Sequence, residues 1–233
     1  MKFLLSAAVL ALTAQAKGKD GKCRILSCKG GGVHGSWEVG VLSALVDEMP
    51  EEVAYDYVAG VSVGSLLASL LATFEPGDEK EAVKVMTDFV LGFKVSENFI
   101  FRSSLLIKLF TENSMMTIEP MKKTLKKIFS DRPILRKLSM VSVDTITGQI
   151  IYFDETMPLE DRVNAILSSA AIPFAFPPVT LDNLNLVDGS VFSTVSLGDP
   201  IERCREEGTK DEDIIIDVIL CYEDIASKTI DDW

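Results

Sequence analysis

The chain has 233 residues, 47% of them hydrophobic, with 35 acidic against 23 basic side chains and a formal charge of −12. That length supports one domain with a substantial core. The acidic excess speaks against nucleic-acid binding and against polybasic docking on anionic membranes.

Residues 1–16 read as a secretory signal rather than as fold. Lys2 is a short positive region, Phe3 to Leu12 an apolar run, and Ala14-Gln15-Ala16 a small-residue cleavage site. A buried first helix or a membrane anchor is the other reading. The apolar run is too short to cross a hydrocarbon layer of about 30 Å, and Lys17-Gly18-Lys19-Asp20 is a poor continuation of a core helix. The expectation is a mature domain over 17–233, secreted or held in the lumen of the secretory or endolysosomal pathway. No later stretch is long and apolar enough to span a membrane.

Arg24 to Cys28 reads as a buried strand, followed by a glycine turn over 30–35 and a helix over 36–48 with Trp37, Val41, Leu42, Leu45 and Val46 at helical spacing. Tyr55 to Ala59 is a second strand. Val63 to Phe74 is an apolar helix stopped by Pro76-Gly77, and Glu79 to Leu91 another helix. The middle, 93–131, is mixed. It contains an amphipathic helix over Met121–Phe129 whose lysines read as a solvated face, or else as an interfacial lipid contact. Leu138–Asp144 and Gln149–Asp154 form a hairpin through Thr147-Gly148. Leu159 to Ala171 is helical, and Pro173, Pro177 and Pro178 force an irregular segment after it. A short strand, Leu184–Val187, runs into Asp188-Gly189, and Ile214–Leu220 is the last strand. This alternation predicts an α/β fold with a mainly parallel central sheet and helices on both faces.

Two motifs carry the chemistry. Gly60-Val61-Ser62-Val63-Gly64 lies between a strand and a helix and fits a nucleophile elbow, in which a tight turn projects a serine and glycines avoid clashes. Gly30-Gly31-Gly32-Val33-His34-Gly35 also joins a strand to a helix. It matches a dinucleotide fingerprint letter for letter, but that site needs an acidic residue closing the second strand, and here Ala59-Gly60-Val61-Ser62 stands there. Beside an elbow serine, backbone N–H groups at Gly30, Gly31 and Gly32 make better sense as an oxyanion hole. Gly35 and Gly189 join Gly60 and Gly64 as loop support.

Ser62 needs a base. No histidine follows the elbow, and His34, the sole histidine, sits in the glycine loop. Asp188, at a strand end before Gly189, is the best candidate, although Asp-Gly is also an ordinary turn. Asp144 and Asp154 flank the hairpin and read as solvated turn residues.

Together these residues resemble the patatin-like phospholipases, which share an active-site plan with the cytosolic phospholipase A2 catalytic domain. The glycine loop, the Ser62 elbow and Asp188-Gly189 match the family's three motifs in order. Ala165-Ile166-Leu167-Ser168-Ser169-Ala170-Ala171-Ile172-Pro173, with Phe176-Pro177-Pro178, is similar to its helix-and-proline block. The resemblance covers roughly residues 24–206 and implies a Ser62–Asp188 dyad without histidine. It implies a lipid acyl hydrolase that acts at a membrane or micelle surface through an acyl-serine intermediate, with no metal or other cofactor. His34 stands where many members have arginine, Ser190 where glycine or alanine is common, and Thr194 where asparagine is frequent. A catalytically silent storage, structural or binding protein on the same scaffold is the competing reading.

Cys23, Cys28, Cys204 and Cys221 leave three full pairings open, or free buried thiols. Cys23 and Cys28 are an odd number of positions apart on one strand. They therefore face opposite sides and are not expected to pair with each other.

Overall fold

A computed structural model of the chain describes residues 20–101 and 114–220. The expected signal sequence, Cys221 and the C-terminal Trp233 lie outside the described residues.

The chain runs β1 (Cys23–Cys28), α1 (Gly35–Glu48), β2 (Tyr57–Val61), α2 (Val63–Leu71), α3 (Glu79–Gly92), α4 (Val95–Asn98), β3 (Ile100–Phe101) and β4 (Met116–Thr117). It continues through α5 (Glu119–Phe129), β5 (Lys137–Asp144), β6 (Ile150–Asp154), α6 (Leu159–Ser169), β7 (Val179–Leu181), β8 (Leu184–Asp188), α7 (Gly198–Glu206) and β9 (Ile214–Ile219). Strands β3 and β4 form a separate two-stranded sheet, and the other seven make one sheet.

In that sheet β9, β1, β2 and β5 are parallel neighbours. Beyond β5 all pairing is antiparallel, with β6 and β8 on β5 and β7 on β8. The expected α/β architecture is present, with its parallel order confined to the four-strand half. Buried on both faces, β2 carries no polar side chain between Val58 and Val61, as a central parallel strand requires. It is displaced two residues from the expected strand over 55–59. Strand β7 was not foreseen. It pairs with β8 through Asp182-Asn183, both at positive φ, a two-residue turn that Asp and Asn tolerate.

Strand alternation divides the core. Leu26 and Cys28 face a large apolar layer built with α1, α2, α3, α5 and α6. Cys23 and Ile25, on the opposite face, pack with Tyr57 and with Cys204 of α7. Cys23 is disulfide-bonded to Cys204, and Cys28 is buried. The opposed faces of Cys23 and Cys28 thus follow the expected alternation. The lysine-bearing helix α5 lies at the surface of the large layer, where Lys122 and Lys126 pair with Glu160 of α6.

Register along β5 places the site. Residues 137–141 of β5 pair with β2, and residues 139–143 pair with β6. At Ser142 the partners are Ile151 of β6 and Asp188 of β8. Because β6 keeps one edge throughout, β8 takes over the edge that β2 leaves. The C-terminal ends of β2 and β8 therefore meet on a single edge of β5.

Candidate active site

At the end of β2 the backbone reverses sharply into α2. Ser62 sits at the hinge with φ 57° and ψ −125°, a strained conformation for a residue with a side chain. Two close approaches force it. A Cβ on Gly60 would lie 2.1 Å from the Gly64 carbonyl oxygen, and one on Gly64 would lie 2.2 Å from that of Cys28. Only glycines let strand, turn and helix stack this tightly. The Ser62 hydroxyl does not cap α2 and is left available, with the helix's positive N-terminal end directly behind it.

A row of buried hydroxyls braces the turn. The Ser65 hydroxyl donates to the Gly60 carbonyl at 2.8 Å, so it receives the Ser169 hydroxyl at 2.6 Å. Ser169 Oγ in turn accepts the Ser62 N–H at 3.0 Å. A parallel pair lies beside it. Ser168 Oγ donates to the Ala165 carbonyl at 2.8 Å and accepts from Ser142 Oγ at 2.7 Å, next to where β8 ends. Sequence reading assigned none of these serines a role. The signal was there in Ser168-Ser169, two hydroxyls closing an otherwise apolar helix stretch.

Asp188 is fully buried. Its N–H donates to the Ala171 carbonyl at 3.0 Å, and its Oδ1 accepts the Ser190 N–H at 2.8 Å. Oδ2 is buried and completes no hydrogen bond of normal geometry among the described residues. Burial pushes the carboxyl above the ordinary carboxylate range, against hydrogen bonding from Ser190 and from the Ser62 hydroxyl, which favours the ionised form. Elbow serine and buried aspartate are thus brought together.

The glycine loop lies on top of the elbow. A Cβ on Gly30 would stand 3.2 Å from Ser62 Cβ. Its N–H, however, donates to the Thr194 carbonyl at 2.8 Å. That bond ties the loop to the segment after Asp188 and engages one of the three expected oxyanion donors, leaving the N–H groups of Gly31 and Gly32 as the better candidates. The Gly31 carbonyl accepts the His34 N–H at 3.2 Å and His34 Nδ1 at 2.9 Å. A carbonyl only accepts, so Nδ1 carries the proton and the ring is tied to the loop. In a trans peptide the Gly32 N–H points opposite the Gly31 carbonyl, away from His34. From α1, the buried Glu38 accepts the Lys29 N–H at 2.7 Å, while its Oε2 has no hydrogen-bond partner among the described residues. Burial raises its carboxyl to about 8.

The other carboxylates serve the hairpin. Asp144 is buried, contrary to the solvated turn expected for it. Its Oδ2 accepts the Thr147 hydroxyl and N–H, its Oδ1 the Asn185 N–H, and the Thr147 hydroxyl above all holds it below the ordinary carboxylate value. Asp154 accepts from Thr156 in a surface turn. Among the described residues no group of three or more His, Cys, Asp or Glu is arranged to hold a metal ion.

Fold and site together define an α/β domain with a nucleophile elbow set against a buried aspartate. The family model for patatin-like phospholipase matches residues 26–201, and the chain belongs to that family. The fold is similar to that of VipD from Legionella pneumophila, with a TM-score of 0.55 at 13% identity over 91% of this chain and 54% of that one. The ExoU–SpcU complex of the Pseudomonas aeruginosa type III secretion system matches at a TM-score of 0.37 and 16% identity, over 87% of this chain and 48% of that one. The chain therefore spans about half the length of the solved structures it matches. No curated protein matches it.

Proposed function

We propose that the domain hydrolyses carboxylic esters of phospholipids or related acyl lipids with a Ser62–Asp188 dyad. The observation that carries this reading is Asp188 Oδ2, a buried carboxylate oxygen left without a full hydrogen bond beside the elbow hydroxyl. Unsatisfied buried carboxylate oxygens are costly, and they persist where chemistry uses them.

Ser62 Oγ attacks the ester carbonyl while its proton passes to Asp188. The tetrahedral oxyanion is held by the N–H groups of Gly31 and Gly32, assisted by the N-terminus of α2. Collapse breaks the bond to the alcohol, which leaves with the proton from Asp188. Water then gives a proton to Asp188 and attacks the acyl-serine. The second collapse releases the fatty acid and returns the proton to Ser62. Each turnover consumes one water and leaves both residues as they began.

Membership in the patatin-like phospholipase family supports a lipid ester as substrate. A place outside the cytosol is part of the same proposal, supported by the signal pattern over 1–16 and by the Cys23–Cys204 disulfide. The test is covalent labelling with a serine-reactive fluorophosphonate, together with fatty-acid release from phospholipid. Labelling at Ser62 with release is the expected result. A folded protein that neither labels nor hydrolyses is a silent scaffold.

A further inference from the structure

Three segments converge on the dyad, and none of them contains an Asp, Glu, Lys or Arg. They are residues 30–37, 170–181 and 189–198, in a chain that is 25% charged. Hydrogen bonds tie them to one another and to the site, from Gly30 N–H to the Thr194 carbonyl and from Asp188 N–H to the Ala171 carbonyl. Each presents large apolar side chains to solvent. Val33 and Trp37 are 72% and 62% exposed, Phe174 is 79% exposed, and Val191 and Phe192 are 58% and 67% exposed.

Phe174 is the most telling of these. Its φ is 69°, in the left-handed region that an aromatic residue rarely enters, at a cost of roughly 1 kcal/mol or more. Its backbone is held there by the Met115 N–H on its carbonyl. The strain turns a phenyl ring toward water, where it contributes nothing to the core. Strained apolar exposure around a site, flanked by other exposed apolar groups, marks a surface that something covers.

We propose that this uncharged apolar collar docks the domain onto the surface of a net-neutral, zwitterionic lipid layer. The collar is continuous with the dyad, so docking delivers the ester where the chemistry lies. Its lack of charge, on a chain of net charge −12, matches a neutral surface and is opposed by an anionic one. This inference rests on the lipid-hydrolase reading above.

The test uses Ser62→Ala protein, so that binding is read without turnover, in a Trp233→Phe background that leaves Trp37 as the sole indole. Phosphatidylcholine vesicles should shift Trp37 emission to the blue, with quenching by lipids brominated in the acyl chain. The partition should hold from about 0.05 to about 0.5 M salt, because no charge is screened. Replacing half the lipid with phosphatidylglycerol should weaken it. Phe174→Asp with Phe192→Asp should lower partition to phosphatidylcholine at least about tenfold. Both side chains are exposed, so circular dichroism and melting should be unchanged.

Absence of a shift, binding confined to anionic vesicles, or a double variant that binds as well as its parent would each overturn the proposal. So would self-association without lipid that the double variant abolishes, since the occupant would then be a second copy. Turnover of a soluble monomeric ester by the parent protein separates the two readings. Turnover without docking removes the collar proposal alone, and docking without turnover removes the hydrolase reading alone.

Discussion

Val61 and Asp188 lie opposite consecutive residues of β5, Val141 and Ser142, on the same edge of that strand. Strand β2 arrives parallel to β5 and β8 arrives antiparallel, so the residue leaving one strand end faces the residue closing the other. Ser62 and Asp188 are 126 positions apart in the chain, yet one sheet edge makes them neighbours. Ser62 and Asp188 are therefore placed by backbone hydrogen bonds, the most rigid device a sheet offers.

Ser62→Ala should abolish ester hydrolysis and fluorophosphonate labelling. The strained φ persists in alanine, so unfolding free energy should stay within about 1 kcal/mol of the parent. Denaturant titration beside the activity assay checks both. Hydrolysis near the parent rate in a clean preparation would sink the nucleophile assignment.

Asp188→Asn should cost at least about 10³ in turnover, because both proton transfers fail together. His34→Ala should be far milder, acting only through the glycine loop. Burial raises the Asp188 carboxyl, so its ionised form is lost, and activity with it, as pH falls through a value above 3.8. The same shift costs stability. The folded state favours the protonated acid, so this contribution is present below the unfolded value and is lost as pH rises through the raised folded one. Asp188→Asn should therefore match or exceed the parent in thermal stability at neutral pH while losing activity. The reverse ranking of Asp188→Asn and His34→Ala in turnover would show the base to be wrongly assigned.

Glu38→Gln isolates the buried carboxyl behind the glycine loop. Its folded value of about 8 lies above the unfolded 4.5, so its favourable contribution is full below 4.5 and disappears by about 8. Glutamine keeps an acceptor for the Lys29 N–H and cannot ionise. The variant should match the parent at low pH and exceed it by about 1–3 kcal/mol above pH 8. Parallel curves at both ends of the range would refute the buried ionisation.

Ser169→Ala removes the acceptor of the Ser62 N–H and the donor to Ser65. Leaving these groups unsatisfied should cost about 1–3 kcal/mol of stability. As a positioning residue, Ser169 should act on kcat rather than on KM with a soluble ester. The rate of fluorophosphonate labelling should fall in step with kcat. An unchanged labelling rate alongside lowered stability would reduce Ser169 to a purely structural role.

Peptide mapping of non-reduced protein should recover Cys23 linked to Cys204. The bridge spans 181 positions, so opening it should lower stability by about 2–5 kcal/mol. Unfolding with and without reductant measures this. A Cys23–Cys28 link would contradict the opposed faces of β1.

The sequence alone determined what local chemistry can encode. Gly60 and Gly64 around Ser62 specify a turn that only glycines can close, and the absence of a later histidine pointed to a carboxylate as the candidate base. Odd spacing set Cys23 and Cys28 on opposite faces. Turn residues marked the β5–β6 hairpin, and Asp182-Asn183 could have marked the β7–β8 hairpin as well. The remaining features depend on contacts between residues distant in the chain, which periodicity cannot report. That Gly30 spends its N–H on Thr194, that Ser169 supports the Ser62 amide, and that Asp144 is drawn into the hairpin follow from which segments the folded sheet brings within hydrogen-bond reach. The meeting of β2 and β8 on one edge of β5 was equally hidden. A strand's pattern shows which faces are buried, while its neighbours are chosen by the packing of the whole layer.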